Sequence, residues 1–371
     1  MTVPHTPPTP RRAPADVRPE SWAPAGATVL VARDAQAIRE ARQLRFRIYV
    51  REQGKRPPGV DWARGELADA LDPVSSLWLA RDGATPVGTL TRTTIRPGFD
   101  LALLPPGLAL DGFPCSARRP LTFSSRCAIA PDHRGRWVLP ALTRRTYVHG
   151  RSTGAVFDVM ATNPALVPLF ERLGYVRYTA SAVRLPDVGT LIPMTLVGTD
   201  LDHLRRVRSP CLVAATLYPD EPRWGAWLRA THPIVDAYYG DPPDRAVARV
   251  ALARQYDLPA AVAEQLVASA FVHRFPAGST IVGAGERLTC GFVALEGRLV
   301  GRRAAAASAL ACAPDGVAFS PVTLRCDTDA AILCLPAPAI ERAERLHPAL
   351  APQLRVLRDS ALAASQLPSD R

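Results

Sequence analysis

Residues 124–137 read SSRCAIAPDHRGRW. Ser124 to Ala130 reads as a strand, and Pro131 breaks it because its ring removes a ladder donor. Arg134-Gly135-Arg136 makes a basic turn, and an apolar run from Val138 opens a helix. A strand, a turn rich in N–H donors and a helix N-terminus together form a place to hold phosphate. A tight phosphate cradle has several glycines, however, and here Trp137 and Leu139 stand where small residues are expected. What this loop holds has to be read from the segments around it.

Outward from that stretch, residues 28–205 alternate strand and helix patterns. ATVLVAR (27–33) is a short apolar strand. Asp34 caps a helix with Ala37, Ala41, Leu44 and Ile48 on one face, and Gly54 ends it. SSLWLARDGATPVGTLTRTTI is a hairpin turning at Asp82-Gly83. AVFDVMA (155–161) is a strand, Asn163 caps the helix LVPLFERL, and Gly174 ends it before one strand, YVRYTASAVRL. The expected fold class is mixed α/β (α+β), a mixed sheet flanked by helices and then a β-roll domain with its own helices. The expected boundaries are a Pro-rich disordered tail (1–27), the first domain (28–205), a connecting segment that packs on one or both domains (206–245), a second domain (246–360) and a tail (361–371).

Composition narrows the function classes. The chain has 371 residues, 47% hydrophobic, which is enough for two cores. It has no run of 18 apolar residues, and its N-terminus lacks an apolar signal region, so no membrane span or signal peptide is expected. Seven scattered cysteines with no CxxC pair point to a reducing cytoplasm without disulfides or a zinc site. The net charge is +11, and Lys55 is the only lysine among 45 basic residues. A composition bias accounts for the preference for arginine, and an acidic partner is the sharper reading. Aromatics are few and no basic helix stands alone, so nucleic acid is not that partner.

The motifs in 28–205 resemble the Gcn5-related N-acyltransferase (GNAT) superfamily. The strand, loop and helix at 124–145 have the place and length of its acyl-donor motif, and NPALVPLFERLGYVRY (163–178) resembles its last helix–strand unit. Finer marks resemble one branch, the N-acyl amino acid synthases and acyl-homoserine-lactone synthases. LRFRIYVREQG (44–54) carries Arg45, Ile48 and Tyr49. ELADALD (66–72) carries Asp69 and Asp72, TLTRT (89–93) carries Arg92, and Ser125-Arg126 matches the pair on the central strand.

That resemblance implies transfer of an acyl group to an amine such as an amino acid. The donor would be an acyl carrier protein or acyl-CoA acting as co-substrate, with no permanently bound cofactor. Ser125 and Arg126 are the catalytic candidates. Arg45, Tyr49, Asp69, Asp72 and Arg92 are the substrate-binding candidates, and Cys127, Ile129, Arg134, Gly135 and Arg136 are the donor-binding ones. A carrier's arm has a single phosphate, so a loop short of glycines suits it, and Arg134, Arg136, Arg144 and Arg145 could meet the carrier's acidic helix. Backbone N–H groups from Cys127 to Ala130 are candidates for the oxyanion. Bland readings stand beside these: Arg45 with Asp69 or Asp72 as a structural ion pair, Ser125-Arg126 as ordinary strand residues, Arg134 and Arg136 as a solvated turn. Two positions depart from the pattern. Phe123 stands where the family commonly has glutamate, and Phe170 where the superfamily often has a tyrosine acid.

FPAGSTIVGAGERLTCGFVALEGRLVGRR (275–303) resembles the cyclic-nucleotide-binding domain, with Gly278, Gly285 and Gly297 at its turn spacing. The phosphate-binding segment that would follow, PDGVAFSPVTLRC (314–326), is short and lacks the glutamate after Gly316. This implies a β-roll kept for packing, dimer contact or another ligand, with cAMP binding doubtful. Two alternatives remain: a cAMP-regulated acetyltransferase using acetyl-CoA, and a non-catalytic sensor or scaffold.

Overall fold

The computed structural model describes residues 23–185, 188–239, 243–303, 320 and 322–359. Strand β1 (Ala27–Val31) leads to α1 (Ala35–Arg45), where the Asp34 carboxylate accepts from the Ala37 N–H at 2.8 Å and caps the helix. Ala37, Ala41 and Leu44 are buried on one face, as the spacing predicts. Past Arg45 the coil loosens into a π-helix, Phe46–Glu52, a form that recurs at functional sites. A small ladder follows, β2 (Val60–Asp61) with β3 (Glu66–Leu67). After a 3-10 turn at Asp72–Val74 comes the expected hairpin, β4 (Ser75–Asp82) and β5 (Thr85–Ile95), turning through Gly83 at φ +57°.

The opening stretch forms β6 (Leu121–Ile129) and α2 (Val138–Ser152), followed by β7 (Phe157–Thr162) and α3 (Val167–Leu173). Gly174, at φ +107°, closes α3 in the left-handed conformation. The expected single strand YVRYTASAVRL is two, β8 (Tyr175–Arg177) and β9 (Val183–Leu185), with an irregular passage between them. The sequence reading assigns no element to residues 189–197, yet they form β10 (Gly189–Val197), an interior strand buried along its whole length. Pro193 in its middle cannot donate to a ladder, so propensity argues against a strand there. Burial on both faces overrides it.

The main sheet has the order β1-β4-β5-β6-β7-β10-β8, with β9 beside β10. Its pairings are antiparallel except β6 with β7, which run parallel. A parallel neighbour needs a long crossover, and α2 supplies it. The helix lies close on β5 at Gly88, where an added Cβ would sit 2.3 Å from the Val138 side chain.

Four helices occupy the segment after the sheet, α4 (Leu201–Arg206), α5 (Leu212–Ala215), α6 (Arg223–Thr231) and α7 (Ile234–Tyr239). Then α8 (Pro243–Gln255) and α9 (Ala260–Val267) precede strands β11 (Phe271–Phe275), β12 (Thr280–Val282), β13 (Cys290–Glu296), β14 (Leu299–Arg303), β15 (Val322–Cys326) and β16 (Ala330–Pro336). Helices α10 (Ala337–Leu346) and α11 (Ala351–Arg358) end the described chain. The six strands form two antiparallel sheets, β11-β16-β13 and β12-β15-β14. Gly278, Gly285 and Gly297 all adopt φ +80°, the turn conformation their spacing predicts. Most of the expected nucleotide cassette, residues 314–319 and 321, lies outside the described residues.

One hydrophobic cluster spans the two parts. Tyr147, Met160, Phe170 and Met194 from the main sheet and its helices pack in the same cluster as Phe271, Ile281, Phe292 and Ile332. Arg177 fastens them. It donates to Glu171 at 2.9 Å and to the Val272 carbonyl, and its guanidinium lies 4.1 Å from the Tyr238 ring centroid. His273 is fully buried, stacks on Tyr238 and meets the Ala180 carbonyl at 3.2 Å. Burial first, and Arg177 second, push its pKa down to about 3.

His273 therefore stays neutral in the fold while the unfolded chain takes up a proton below about pH 6.5. Stability is full above that pH and falls as pH drops toward 3. Between pH 7 and 5 the wild type should lose about 2 kcal/mol that His273→Phe does not lose. Urea unfolding of both proteins at the two pH values checks this, and equal slopes would refute it.

Candidate functional site

The site begins with a disturbance in β6. Against β5 the register moves from Thr89↔Ala128 to Thr91↔Ser125, so β6 carries one residue more than its partner. This is a β-bulge, and Arg126 lies in it at φ +51°. On the other side β6 pairs with β7 only at Thr122↔Asp158 and Phe123↔Val159. Beyond those two steps the strands part. Ser124, Ser125, Arg126 and Cys127 on one, and Met160, Ala161 and Thr162 on the other, then face a cavity of about 1220 Å³.

The bulge aims its residues at the mouth of this cavity. Arg126 pairs through Nε with Asp69, and Asp69 also accepts from the Leu71 N–H at 2.9 Å. Burial alone would raise the Asp69 carboxyl, but the Arg126 guanidinium and the Leu71 N–H hold it below the usual carboxylate range. Tyr49 reaches in from the π-helix, its hydroxyl donating to the Cys127 carbonyl at 2.8 Å. Burial pushes that phenol well above its ordinary value and the Cys127 thiol up to about 12, so neither ionises near neutral pH. The Ser125 hydroxyl is buried on the cavity wall without a hydrogen-bond partner among the described residues.

Other expected site residues lie behind this wall. Arg45 is fully buried, with Nη1 on Asp72 at 2.8 and 3.1 Å and Nη2 on Thr91. Asp72 also takes Arg42 at 3.2 Å and the Asp69 N–H at 3.1 Å. This network anchors α1 and the loop that carries Asp69. Arg92 is 4% exposed and donates to Thr122 at 2.7 Å. Neither Arg45, Asp72 nor Arg92 lines the cavity.

The loop 131–137 also lies outside the cavity wall. Ile129 packs with Trp78 and Trp137. Arg134 pairs with Glu52 at 2.6 Å, Gly135 has φ +70°, and Arg136 is exposed. Two of the arginines expected to face a carrier are used inside the fold: Arg144 donates to the Pro210 carbonyl at 2.6 Å, and Arg145 to the Val29 carbonyl at 3.1 Å. Of the expected oxyanion donors, the Ala130 N–H is already given to Val87 at 2.9 Å.

Several site groups escape sequence reasoning. Asp158 is 3% exposed and accepts from Thr122 and Ser124, each at 2.8 Å, and from Tyr175 at 2.5 Å, with Arg92 at 3.4 Å. An aspartate inside the apolar strand AVFDVMA was the available signal. It is a buried carboxylate one register step from Phe123, screened from the cavity by Ser124 and Tyr175, which do line it. Phe170 lines the cavity beside Tyr175, whose pKa burial and Asp158 raise far above 10. Lys55 also lines it, as do Ile281, Val282, Leu288 and Phe292 from the C-terminal sheets. Among the described residues six cysteines are free, and no cluster of His, Cys, Asp and Glu could hold a metal. No helix among them is long and apolar enough to cross a membrane.

No family model and no curated protein matches the chain. Solved structures resemble about half of it. TofI, in a ternary complex with an inhibitor and MTA, is 21% identical, with a TM-score of 0.40 over 50% of this chain and 98% of its own. The AHL synthase LasI is 16% identical, with a TM-score of 0.36 over 46% and 88%. FeeM, an N-acyl amino acid synthase from uncultured soil microbes, is 14% identical, with a TM-score of 0.36 over 51% and 97%. At these TM-scores the likeness decides neither fold nor function.

The Asp69–Arg126 pair sets a pH dependence. A depressed carboxyl pKa stabilises the fold above its unfolded value, about 3.9, and the contribution is lost as pH falls through the folded value. The stability difference between wild type and Asp69→Asn should be full at pH 7 and shrink below about pH 4. Chemical denaturation of the pair across that range measures it, and a difference that grows on acidification would contradict the assignment.

Proposed function

We propose that the protein is an N-acyltransferase that moves an acyl group from a thioester to an amine such as an amino acid. The cavity between the parted strands carries this reading. It is larger than an ordinary small-ligand pocket of about 300–1,000 Å³, and its lining combines apolar residues of both parts with charged ones that include the Asp69–Arg126 pair. Such a shape suits a long acyl chain with its reactive carbonyl near Ser125 and Arg126.

Strands that part leave backbone groups available to a donor's amide arm, because a group with no ladder partner must find another. A pantetheine-type arm meets that need, and acyl carrier protein or acyl-CoA would supply it. The amine attacks the thioester carbonyl, the C–N bond forms and the sulfur leaves as thiolate. Ser125, whose buried hydroxyl has no partner among the described residues, would donate to the developing oxyanion. Arg126, already turned into the cavity by the bulge, would take an acceptor carboxylate. Tyr49 and Asp69 hold that arginine in place from either side. Arg45, Asp72 and Arg92 support the site from behind. The C-terminal part, with its resemblance to a cyclic-nucleotide-binding domain, serves as a wall of the acyl cavity.

Incubation with acyl-carrier and acyl-CoA thioesters of mixed length and all twenty amino acids should yield an N-acylated product by mass spectrometry. Arg126→Ala should lower turnover by about 100-fold or more. Met160→Trp, which fills the cavity, should shift preference to shorter chains while short-chain transfer continues. Absence of product at every chain length would end the acyltransfer reading.

A further inference from the structure

In a chain with 45 basic residues, Lys55 is the only lysine. Wherever a permanent positive charge suffices, this chain uses arginine, and arginine cannot give up its proton in a protein. Among its lysines and arginines, the one side chain that can do so lines the acyl cavity. Its position is fixed by the π-helix that precedes it: the Lys55 N–H donates to the Tyr49 carbonyl at 2.9 Å. Its Nζ lies 5.5 Å from the Tyr49 ring centroid, and the Arg126 guanidinium lies 5.9 Å from the same ring.

The charges around it leave Lys55 without an acid. Glu52 is paired with Arg134, Asp69 with Arg126, and Glu286 with Arg184. Among the described residues no carboxylate pairs with Lys55. Arg287 enters the same cavity from the C-terminal part and donates to the Glu52 carbonyl at 3.5 Å. Arg56 also lines the wall, and Tyr49 is neutral there. Burial, then Arg126, then Arg287, push the Lys55 ammonium down to about 8. About a tenth is then free base at pH 7, against about one part in 2,500 for an ordinary lysine.

We propose that Lys55 takes the proton from the incoming amine, and that Arg287 of the C-terminal part tunes it for that task. This rests on the acyltransfer reading above. The acceptor ammonium gives one proton to the Lys55 amine and becomes nucleophilic. Its lone pair then forms the C–N bond, the C–S bond breaks, and the second amine proton goes to the departing thiolate. Lys55 returns its proton to water. The role answers the absence of a carboxylate at Phe123, since Asp158, the buried acid one register step away, is engaged by Thr122, Ser124, Tyr175 and Arg92.

One lysine gives one side-chain resonance, so protein labelled with ¹³C at lysine Cε reports this group without further assignment. The wild-type titration midpoint should fall near 8, and Arg287→Met should move it up by about half a unit or more. A wild-type midpoint near 10.4, or no response to Arg287→Met, would overturn the proposal. In the acyltransfer assay, Lys55→Arg should lower kcat at pH 7 by about 100-fold. The rising limb of the kcat–pH profile should follow the midpoint measured in Arg287→Met. Full turnover in Lys55→Arg would remove Lys55 from the reaction and leave acyltransfer standing. Absence of turnover in the wild type with every thioester would instead remove the acyltransfer reading, and the proton-acceptor role with it.

Discussion

The parting of β6 and β7 after two residues of pairing is the constraint on which the site depends. A parallel pair that continued would have satisfied its own ladder and left no cavity. Here the ladder stops at Phe123 and Val159, and the bulge at Arg126 bends β6 away just beyond. Everything at the site follows from that opening: the wall residues, the inward aim of Arg126, and the space that the C-terminal sheets then close.

An opening in the middle of a sheet has to be held open, and buried charge does this. Arg45 with Asp72 and Thr91 ties α1 to β5 on one side, and Arg92 with Thr122 and Asp158 ties β5, β6 and β7 on the other. Removing one partner of such a pair leaves an uncompensated charge, at a cost of about 3–5 kcal/mol. The same network fixes which polar groups remain to face a ligand. Ser124 is committed to Asp158, whereas Ser125, its neighbour on the strand, is not.

Much of the frame was legible. Periodicity and caps gave α1, the hairpin, α2 and α3, whose backbone bonds close within each element, and the apolar run gave β1 although its partner β4 is distant. β10 was not legible, since Pro193 argues against it and only burial between β7 and β8 makes it a strand. Nor was the division of the arginines. Arg134, Arg144 and Arg145 look alike in sequence, but one meets a glutamate and two meet carbonyls of distant segments. Asp158 was visible as an aspartate in an apolar strand, but its four partners come from three strands, β5, β6 and β8.

By itself, the sequence determined a mixed α/β chain whose central strand carries Ser125 and Arg126, and whose three glycines turn the C-terminal strands. These are properties of short segments, set by side-chain period and by the φ values that glycine permits. Only the tertiary structure decided which residues form the cavity. It placed Arg45 and Arg92 behind the wall, left the loop at 131–137 beside it, and brought Lys55 and Arg287 together from 232 positions apart. Burial and charge proximity are sums over neighbours in space, and no local pattern encodes them.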